Sequence, residues 1–472
     1  MTDNNKPLWQ WSACDIAEAV AGRKVTPSEA VGSAVERMRE TNGHLNAVVD
    51  DLSEVALRRA EAMDKAIAAG EPVGPLAGVP TTIKENIDQK GYATPNGVTA
   101  YKDVMAPDDS PVVRNLESAG AIVIGRTNTP EFSFRGTTVN ALHGRTYNPW
   151  NDTASAGGSS GGAASAVMAG IGAIAHGNDI GGSLRFPAYA CAAATVKPGL
   201  GRVPAYNPSA AAERGMLAQV SSVQGAICRE VRDVRLAMRT LVNYDPRDPW
   251  QVPMPFDVGS DGPVKVAFTR NTFDFDLHPA VDKALETAKA ALTDADYQVE
   301  EVEPPLLREA AVSGFRTLFG EVKALMDADI RKHGSNTLVS IFDAYYRYFE
   351  PFEGNDLLLA YADRNRFLRA WTTFLADYPL VLTPFLPNPI FEWNRDEQGE
   401  EGVREVLGSA YYSIAMNYMG LPAGIVQANE NDGQPVGVQI VGRRFREDQI
   451  LDACEAVEKS VGVMAQKLWA RG

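Results

Sequence analysis

The sequence has little of what marks several common classes of protein. Its 472 residues include four scattered cysteines and no CxxC pair. That excludes a disulfide framework and a cysteine-based zinc site, and it suits a reducing compartment. No apolar run reaches the ~18 residues of a membrane span. The first residues show no basic segment followed by an apolar core, so no secretion signal is predicted. We therefore expect a cytoplasmic protein that does not contact a membrane.

Basic residues and histidines are also scarce. The chain has 45 Lys and Arg against 60 Asp and Glu, a formal net charge of -15, and only five histidines. Without a basic stripe, a nucleic-acid partner is not expected. The motifs of zinc proteases, P-loops and EF-hands are missing, so we expect neither a metal nor a nucleotide cofactor.

The remaining composition, 45% apolar and 22% charged, is typical of a globular protein. Hydrophobic periodicity predicts helices and strands in close succession. The predicted helices are 11–21, 26–39, 52–69, 111–119, 231–242, 279–292, 406–418 and 446–460, with a helix start at 129–131 and a largely helical region at 305–377. The predicted strands are 81–87, 121–125, 264–268, 378–382 and 436–441.

This succession predicts an α/β protein with a mixed central β-sheet covered by helices on both faces. No internal repeat or linker interrupts it, so we expect one large domain over residues 71–460. Residues 1–70 would be a helical segment packed on that core, and residues 461–472 a tail. Within the domain, residues 305–377 would form a wall or cap over a pocket. Residues 394–404 are expected to be a charged surface loop.

Two glycine-flanked serine turns stand out, GGSSGG at 157–162 and DIGGSLR at 179–185. Glycines beside a serine allow positive φ and a close approach of the backbone to whatever the serine touches. A pair of flexible linkers is the alternative. The apolar run 163–175 between the turns argues against linkers, because it is apolar enough to be buried.

Ser183 is the candidate nucleophile. A serine hydroxyl needs a base to remove its proton, and the oxyanion that forms on attack needs donors placed in advance. Ile180, Gly181, Gly182 and Ser183 offer successive backbone N–H groups in a tight turn, which could hold an anion. A GGS turn by itself is also compatible with ordinary turn chemistry.

Two kinds of base can be considered. One is the histidine of a Ser-His-Asp triad, since Gly158–Gly162 fits the G-x-S-x-G motif of a nucleophile turn. That motif requires a strand directly before it, however, and residues 143–156 are predicted to be loop. His176 is instead predicted to be a structural histidine at a strand end. Lys84 is the other: if it is buried, loss of water lowers its pKa and leaves an amine able to take a proton. An outward-pointing edge lysine is the alternative that residue 84 alone does not exclude.

Taken together, these segments resemble the amidase signature hydrolases. The family's GGSSGG and D-x-G-G-S-[I/L]-R-x-P turns correspond to residues 157–162 and 179–187, and its G-V-P-x-x-x-K-[D/E] element to residues 78–85. The separation of 24 residues between Ser159 and Ser183 also resembles the family's spacing.

The resemblance implies an amidase fold, a serine acyl-enzyme and no cofactor. Ser183 would attack an amide carbonyl, while Ser159, held through a cis peptide bond, would relay the proton to Lys84. The other implied site residues are Ile180, Gly181 and Gly182 in the oxyanion hole, Asp179 and Arg185 bracing the turn, and Gly158, Ser160 and Phe186 in the surrounding shell or against substrate.

The chain departs from the family pattern at four positions. Asn178 stands where threonine is usual, Ala192 and Thr195 stand where glycines are usual, and Gly199 replaces a hydroxyl residue. If those glycines serve a positive φ, the backbone behind the nucleophile turn would differ here.

The expected partner is a small-molecule amide, and a homodimer is left open. Aromatic residues flank the motifs and hint at an apolar acyl group, although core packing would explain them equally well. They are Phe132, Phe134, Phe186, Tyr189 and Tyr206. Two alternatives stay open, the glutamine-hydrolysing subunit of a tRNA-dependent amidotransferase and an inactive binding protein of the same fold.

Overall fold

Eleven of the strands join into one mixed sheet. The computed structural model describes residues 6–259, 262–431 and 433–471. The strands it contains are β1 (Val48–Asp51), β2 (Pro80–Lys84), β3 (Ile122–Thr127), β4 (Val139–Asn140), β5 (Gly144–Arg145), β6 (Ile174–Asp179), β7 (Ala194–Lys197), β8 (Val223–Cys228), β9 (Lys265–Phe268), β10 (Gln298–Glu301), β11 (Leu380–Thr383), β12 (Ala423–Asn431) and β13 (Gln434–Gly442). Their order in the sheet is β1-β3-β2-β6-β8-β7-β12-β13-β11-β9-β10, and β4 and β5 form a separate hairpin.

Both parallel and antiparallel pairs occur in that sheet. Strand β2 is parallel to its neighbours β3 and β6, and β9 is parallel to β10 and β11. The other neighbouring pairs are antiparallel. The predicted mixed sheet is therefore confirmed.

Seventeen α-helices accompany the strands in the described residues. They are α1 (Ala13–Ala21), α2 (Pro27–Leu45), α3 (Ser53–Ala68), α4 (Pro111–Ser118), α5 (Gly161–Ala169), α6 (Arg185–Cys191), α7 (Met216–Ser221), α8 (Val231–Leu241), α9 (Pro279–Asp294), α10 (Leu307–Leu325), α11 (Asp327–His333), α12 (Asn336–Phe349), α13 (Gly354–Asp377), α14 (Gly399–Val403), α15 (Tyr411–Met419), α16 (Glu447–Val461) and α17 (Met464–Trp469). Among these residues, no helix has both the length and the apolarity needed to cross a bilayer.

Strand β13 shows that helices cover both faces of the sheet. A Cβ added at Gly442 would lie 2.7 Å from Ile450 of α16, whereas the Gln439 amide oxygen accepts a 2.9 Å hydrogen bond from Arg185 of α6. Successive residues of a strand point to opposite faces. Positions 439 and 442 therefore face different sides, and α16 and α6 lie on opposite sides of the sheet.

The N-terminal helices begin where the sequence predicts. The Thr26 hydroxyl accepts from the Glu29 backbone N–H at 3.1 Å, and the Glu29 carboxylate accepts from the Thr26 N–H at 2.8 Å. With Pro27 in the first turn, this is a complete capping box, which explains the start of α2. The segment also contains a strand that was not predicted: β1 pairs antiparallel with β3.

Two local predictions are wrong. The helix start at 129–131 yields only a 3₁₀ turn, Glu131–Ser133, because Phe132 and Ser133 have φ of 54° and 60° and cannot continue a right-handed helix. Residues 394–404 are not simply a surface loop. They include another 3₁₀ turn, Arg395–Glu397, and α14, and buried Asp396 accepts bonds of 2.9 and 2.7 Å from Arg135.

Helices α10 to α13 confirm the helical region predicted at 305–377. Their aromatic side chains pack together, with the Phe315 and Phe319 rings 4.4 and 4.9 Å from that of Phe349. This apolar cluster extends to the partly buried side chains of Phe134 and Ile180. The cluster, which we call the apolar wall, therefore reaches Ile180 in the second serine turn.

Candidate active site

Lys84 is the last residue of β2, in the interior of the sheet between β3 and β6. Its side chain is 0% exposed, so the alternative of an outward-pointing edge lysine is excluded. The Nζ atom lies 2.7 Å from the Ser159 hydroxyl oxygen and 2.8 Å from the Asn178 amide oxygen. Three separate segments of the chain therefore meet at this amine.

The surroundings of Lys84 favour its uncharged form. Burial is the largest influence and lowers the pKa of Lys84 well below the 10.5 of an ordinary lysine. The carboxylates of Asp179 and Glu85 act in the opposite direction and are outweighed. An uncharged amine can accept a proton, which is the property that a general base needs.

Ser159 follows a cis peptide bond, Gly158–Ser159, and is 1% exposed. A Cβ added at Gly158 would lie 2.2 Å from the carbonyl oxygen of Arg135, so only glycine permits this approach of two backbone segments. The neighbouring Ser160 joins the two turns. Its N–H donates to the Ser183 carbonyl at 3.3 Å, and its hydroxyl donates to the Asn178 carbonyl at 3.4 Å.

The second turn is organised by Asp179, the last residue of β6. Its carboxylate accepts from the N–H groups of Gly182 and Leu184 at 2.7 and 3.1 Å. It also accepts from Arg185 at 3.0 and 3.1 Å and from the Asn417 amide at 2.9 Å. Burial by itself would raise the pKa of Asp179, but the Arg185 charge and these bonds hold it at about 2. A buried, ionised carboxylate thus shapes the turn.

Three backbone N–H groups of this turn have no acceptor among the described residues, those of Ile180, Gly181 and Ser183. The Gly182 N–H, which the resemblance places in the oxyanion hole, is engaged by Asp179 instead. The three residues with free N–H groups are half-buried, whereas Lys84 and Ser159 are fully buried. Ser183 and the free backbone N–H groups are therefore closer to solvent than the Lys84 amine.

Comparison with known proteins identifies the family of this chain. The sequence profile of the amidase family matches residues 29–451. The chain belongs to the amidase family. An indoleacetamide hydrolase of Bradyrhizobium diazoefficiens is 47% identical over 98% of this chain and 89% of that protein. An acylamidase of Rhodococcus erythropolis is 32% identical, over 96% of this chain and 95% of its own length.

The fold agrees with the sequence match. The crystal structure of a bacterial aryl acylamidase of the amidase signature family superposes with a TM-score of 0.86 and 27% identity, covering 98% of this chain and 99% of that one. The family that the serine turns and the Lys84 segment indicated is confirmed, as is the α/β fold predicted from the succession of helices and strands, and the protein is an amidohydrolase.

Of the five aromatic residues near the motifs, three lie in the core, whereas Phe134 is half-buried and Tyr206 is exposed. Phe132, Phe186 and Tyr189 are at most 5% exposed, and the Phe186 ring packs edge-on against Phe385 at 4.9 Å. These rings are core, as the packing alternative anticipated. Phe134 is half-buried, so an approaching substrate could contact it.

His176 does not act on either serine. It lies inside β6, fully buried, with Nε2 3.0 Å from the Gln224 amide oxygen. Burial lowers the pKa of His176 to about 3. No histidine in the described part of the chain hydrogen-bonds Ser159 or Ser183, and no strand directly precedes Gly158, so the triad alternative fails.

Two of the departures from glycine follow the second serine turn, and one of them has the positive φ that a glycine commonly adopts. Ala192 ends α6 with φ of 66°, the left-handed conformation that a glycine would adopt easily. Thr195 lies in β7 and donates its hydroxyl to the Ala226 carbonyl at 2.7 Å. The Gly199 N–H donates to Glu447 at 2.9 Å. The positive φ is therefore kept without the glycine.

Several residues of the site carry no local sequence signal. Asn417 and Ser413 of α15 contact the second serine turn, Ser413 by donating to the Gly181 carbonyl at 2.9 Å. Asn86 contacts Asn178. Their partners lie far away along the chain, so only the departure of Asn178 from the family pattern could have drawn attention to this group.

Proposed function

We propose that this protein hydrolyses the primary amide of a small arylacetic acid, of the kind named for its indoleacetamide hydrolase relative. Ser183 is the nucleophile, Ser159 relays protons and Lys84 is the base. The observation that carries the proposal is the 2.7 Å contact between Lys84 Nζ and the Ser159 hydroxyl at a fully buried position.

Acylation begins when the Ser183 hydroxyl oxygen bonds to the amide carbon. The Ser183 proton moves to the Ser159 oxygen as Ser159 gives its own proton to Lys84 Nζ. The carbonyl oxygen becomes an oxyanion, which the N–H groups of Ile180, Gly181 and Ser183 can bind. Because Asp179 already accepts from the Gly182 N–H, that group is left out of the oxyanion hole.

Collapse of this intermediate breaks the carbon–nitrogen bond. The leaving NH₂ group takes the proton back from Lys84 through Ser159 and departs as ammonia, which leaves the acyl group on Ser183. Water then attacks the ester carbon and loses a proton along the same relay. Ser183 recovers its hydroxyl proton and the carboxylic acid is released. One water is consumed for each amide, and every protein group returns to its starting state.

The apolar wall supports an aromatic acyl group. Phe134 and Ile180 are partly buried members of this wall, and the Phe134 ring lies 5.7 Å from that of Phe342. An aromatic ring of the substrate that lies beside Phe134 and Ile180 would lose its contact with water and pack against apolar side chains. It could also stack on the Phe134 ring.

Ammonia release from a panel of amides tests the proposal. We expect indole-3-acetamide and phenylacetamide to be hydrolysed faster than hexanamide and glutamine. Ser183→Ala should lose turnover almost completely. Ser165→Ala should keep it, because among the described residues the hydroxyl of this buried serine of α5 bonds only the Tyr147 carbonyl. A preference for glutamine would favour the amidotransferase alternative, and no turnover by folded protein on any amide would favour an inactive binding protein.

A further inference from the structure

Asn178 is the other polar partner of Lys84. Among the described residues, the Lys84 Nζ atom bonds only the Ser159 hydroxyl at 2.7 Å and the Asn178 amide oxygen at 2.8 Å. An amide oxygen can accept a hydrogen bond but cannot donate one, whereas a hydroxyl can do both. The two partners of the amine are therefore not equivalent.

We propose that Asn178 is a positioning residue that holds one N–H of the Lys84 amine and so turns the nitrogen lone pair toward Ser159. The proposal rests on the proposed function, in which Ser159 passes a proton to Lys84. Without the amide oxygen, the amine could rotate about its terminal carbon and offer an N–H to Ser159 in place of the lone pair.

Neighbouring residues determine which end of the Asn178 amide faces the lysine. The Asn178 Nδ2 donates to the Asn86 amide oxygen at 2.9 Å. The Asn86 Nδ2 donates to the Ser133 hydroxyl at 3.0 Å and lies 3.3 Å from the Asn178 oxygen. Ser133 in turn donates to the Asn96 amide oxygen at 2.6 Å. This network holds the Asn178 nitrogen on the side of Asn86, so the Asn178 oxygen is left facing Lys84 Nζ.

An amide suits this position because it carries no charge. A carboxylate there would favour the ammonium form of Lys84 and oppose its use as a base. Charged and titratable groups already surround the amine: Asp179 and His176 from β6 and Glu85 from its own segment. Glu85 is itself bonded to His143 at 2.9 Å, and Arg126 of β3 donates to the Glu85 carbonyl at 3.0 Å. The uncharged Asn178 amide orients the Lys84 amine without adding another charge beside it.

The test is the pH dependence of Ser183 labelling by a fluorophosphonate, which requires a reactive serine but no particular amide substrate. Asn178→Asp should move the midpoint of labelling to higher pH by about 1 to 3 pH units. At a pH below the native midpoint, the labelling rate should then fall about tenfold for each pH unit by which the midpoint moves, and it should recover in alkali. Asn178→Leu keeps the size of the side chain and removes the acceptor, so it should slow labelling at every pH without that upward movement of the midpoint.

A second site and a matched control guard against general damage. Asn86→Ala frees the Asn178 amide to rotate and should slow labelling about ten- to a hundredfold, with no recovery in alkali. Asn115→Asp places the same new charge at a half-buried asparagine of α4 that bonds the Leu241 and Asn243 carbonyls. It should leave both midpoint and rate unchanged.

Two different failures can be told apart. If Ser183→Ala or Lys84→Met is labelled as fast as the native protein, the proposed function fails. If those variants behave as expected but Asn178→Asp keeps the native midpoint, only the role of Asn178 is overturned. Equal losses at all pH values in the Asp and Leu variants would also overturn it, since they would indicate a purely structural residue. Should Asn178→Asp not fold, native labelling rates in Asn178→Leu and Asn86→Ala would overturn the proposal, and slowed rates would support it.

Discussion

Replacing Lys84 with methionine should make the stability of the protein depend less on pH. In the unfolded chain Lys84 is exposed and holds its proton up to about pH 10.5, the ordinary lysine pKa. In the folded protein burial lowers that pKa. Between the folded-state and unfolded-state pKa values, the unfolded chain binds one proton more than the folded protein. Stability therefore rises with pH across this window, and the lysine destabilises the fold below it.

The size of the effect follows from linkage. One proton of difference changes the free energy of unfolding by about 1.4 kcal/mol per pH unit. Methionine has a similar length and does not titrate, so Lys84→Met removes this dependence. The native protein should gain about 1.4 kcal/mol relative to the variant for each pH unit in the window. In the variant, Ser159 and Asn178 lose their hydrogen bonds to Lys84. This changes the free energy of unfolding by the same amount at every pH, so the pH dependence of the difference is unaffected.

Urea unfolding between pH 7 and 9.5 measures the difference at each pH. Lys65→Met is the matched control, since Lys65 is an exposed residue of α3 that folding does not remove from water. Its difference from the native protein should stay flat. If the free energies of unfolding of Lys84→Met and the native protein also differ by a constant amount across this pH range, Lys84 is protonated in the folded protein. The proposal of a neutral base would then be refuted.

Two further predictions concern the second serine turn, residues 179–185. Arg185→Met leaves the Asp179 carboxylate buried without its ion-pair partner. It should lower the free energy of unfolding, measured in urea, by about 3 to 5 kcal/mol. A loss below about 1 kcal/mol would show that the Arg185–Asp179 pair does not stabilise the turn. Gly182→Ala should reduce kcat/KM about a hundredfold or more, because φ is 128° and the new Cβ would lie 2.4 Å from Ser413 and 2.5 Å from Phe186. Near-native kinetics would show that the turn is not constrained there.

Much of the fold could be predicted from local patterns. Helices such as α2 and α8 have apolar residues at three- to four-residue spacing and are amphipathic in the structure. Five strands of the large sheet were not predicted. Strands β1, β7, β8 and β10 have only four to six residues, which carry little periodicity, and the nine-residue β12 was missed as well. Their strand state is fixed by hydrogen bonds to neighbours distant in sequence, as for β8, which pairs with β6 and β7.

Some residues of the candidate site could be predicted from the sequence, and others could not. The serine turns and the lysine were predicted from motif and resemblance, and the structure brings Lys84 and Ser159 into contact. Asn86, Ser413 and Asn417 were not predicted, because an asparagine or serine on an ordinary helix or loop looks like any other. The buried pair of Arg135 and Asp396 joins residues 261 apart in sequence, and Asp396 lies in a charged segment that resembles surface.

The sequence by itself determined the chemistry available to this protein, through the glycines that permit sharp turns and the hydroxyl and amine groups placed beside them. Only the tertiary structure decided whether that amine is buried with a lowered pKa, as a general base requires. Lys84 occurs in a β-segment in either case, and its protonation depends on whether β2 lies at the edge or in the interior of the sheet. That choice is made by the pairing of β2 with β3 and β6, which removes water from the amine and leaves it two neutral partners.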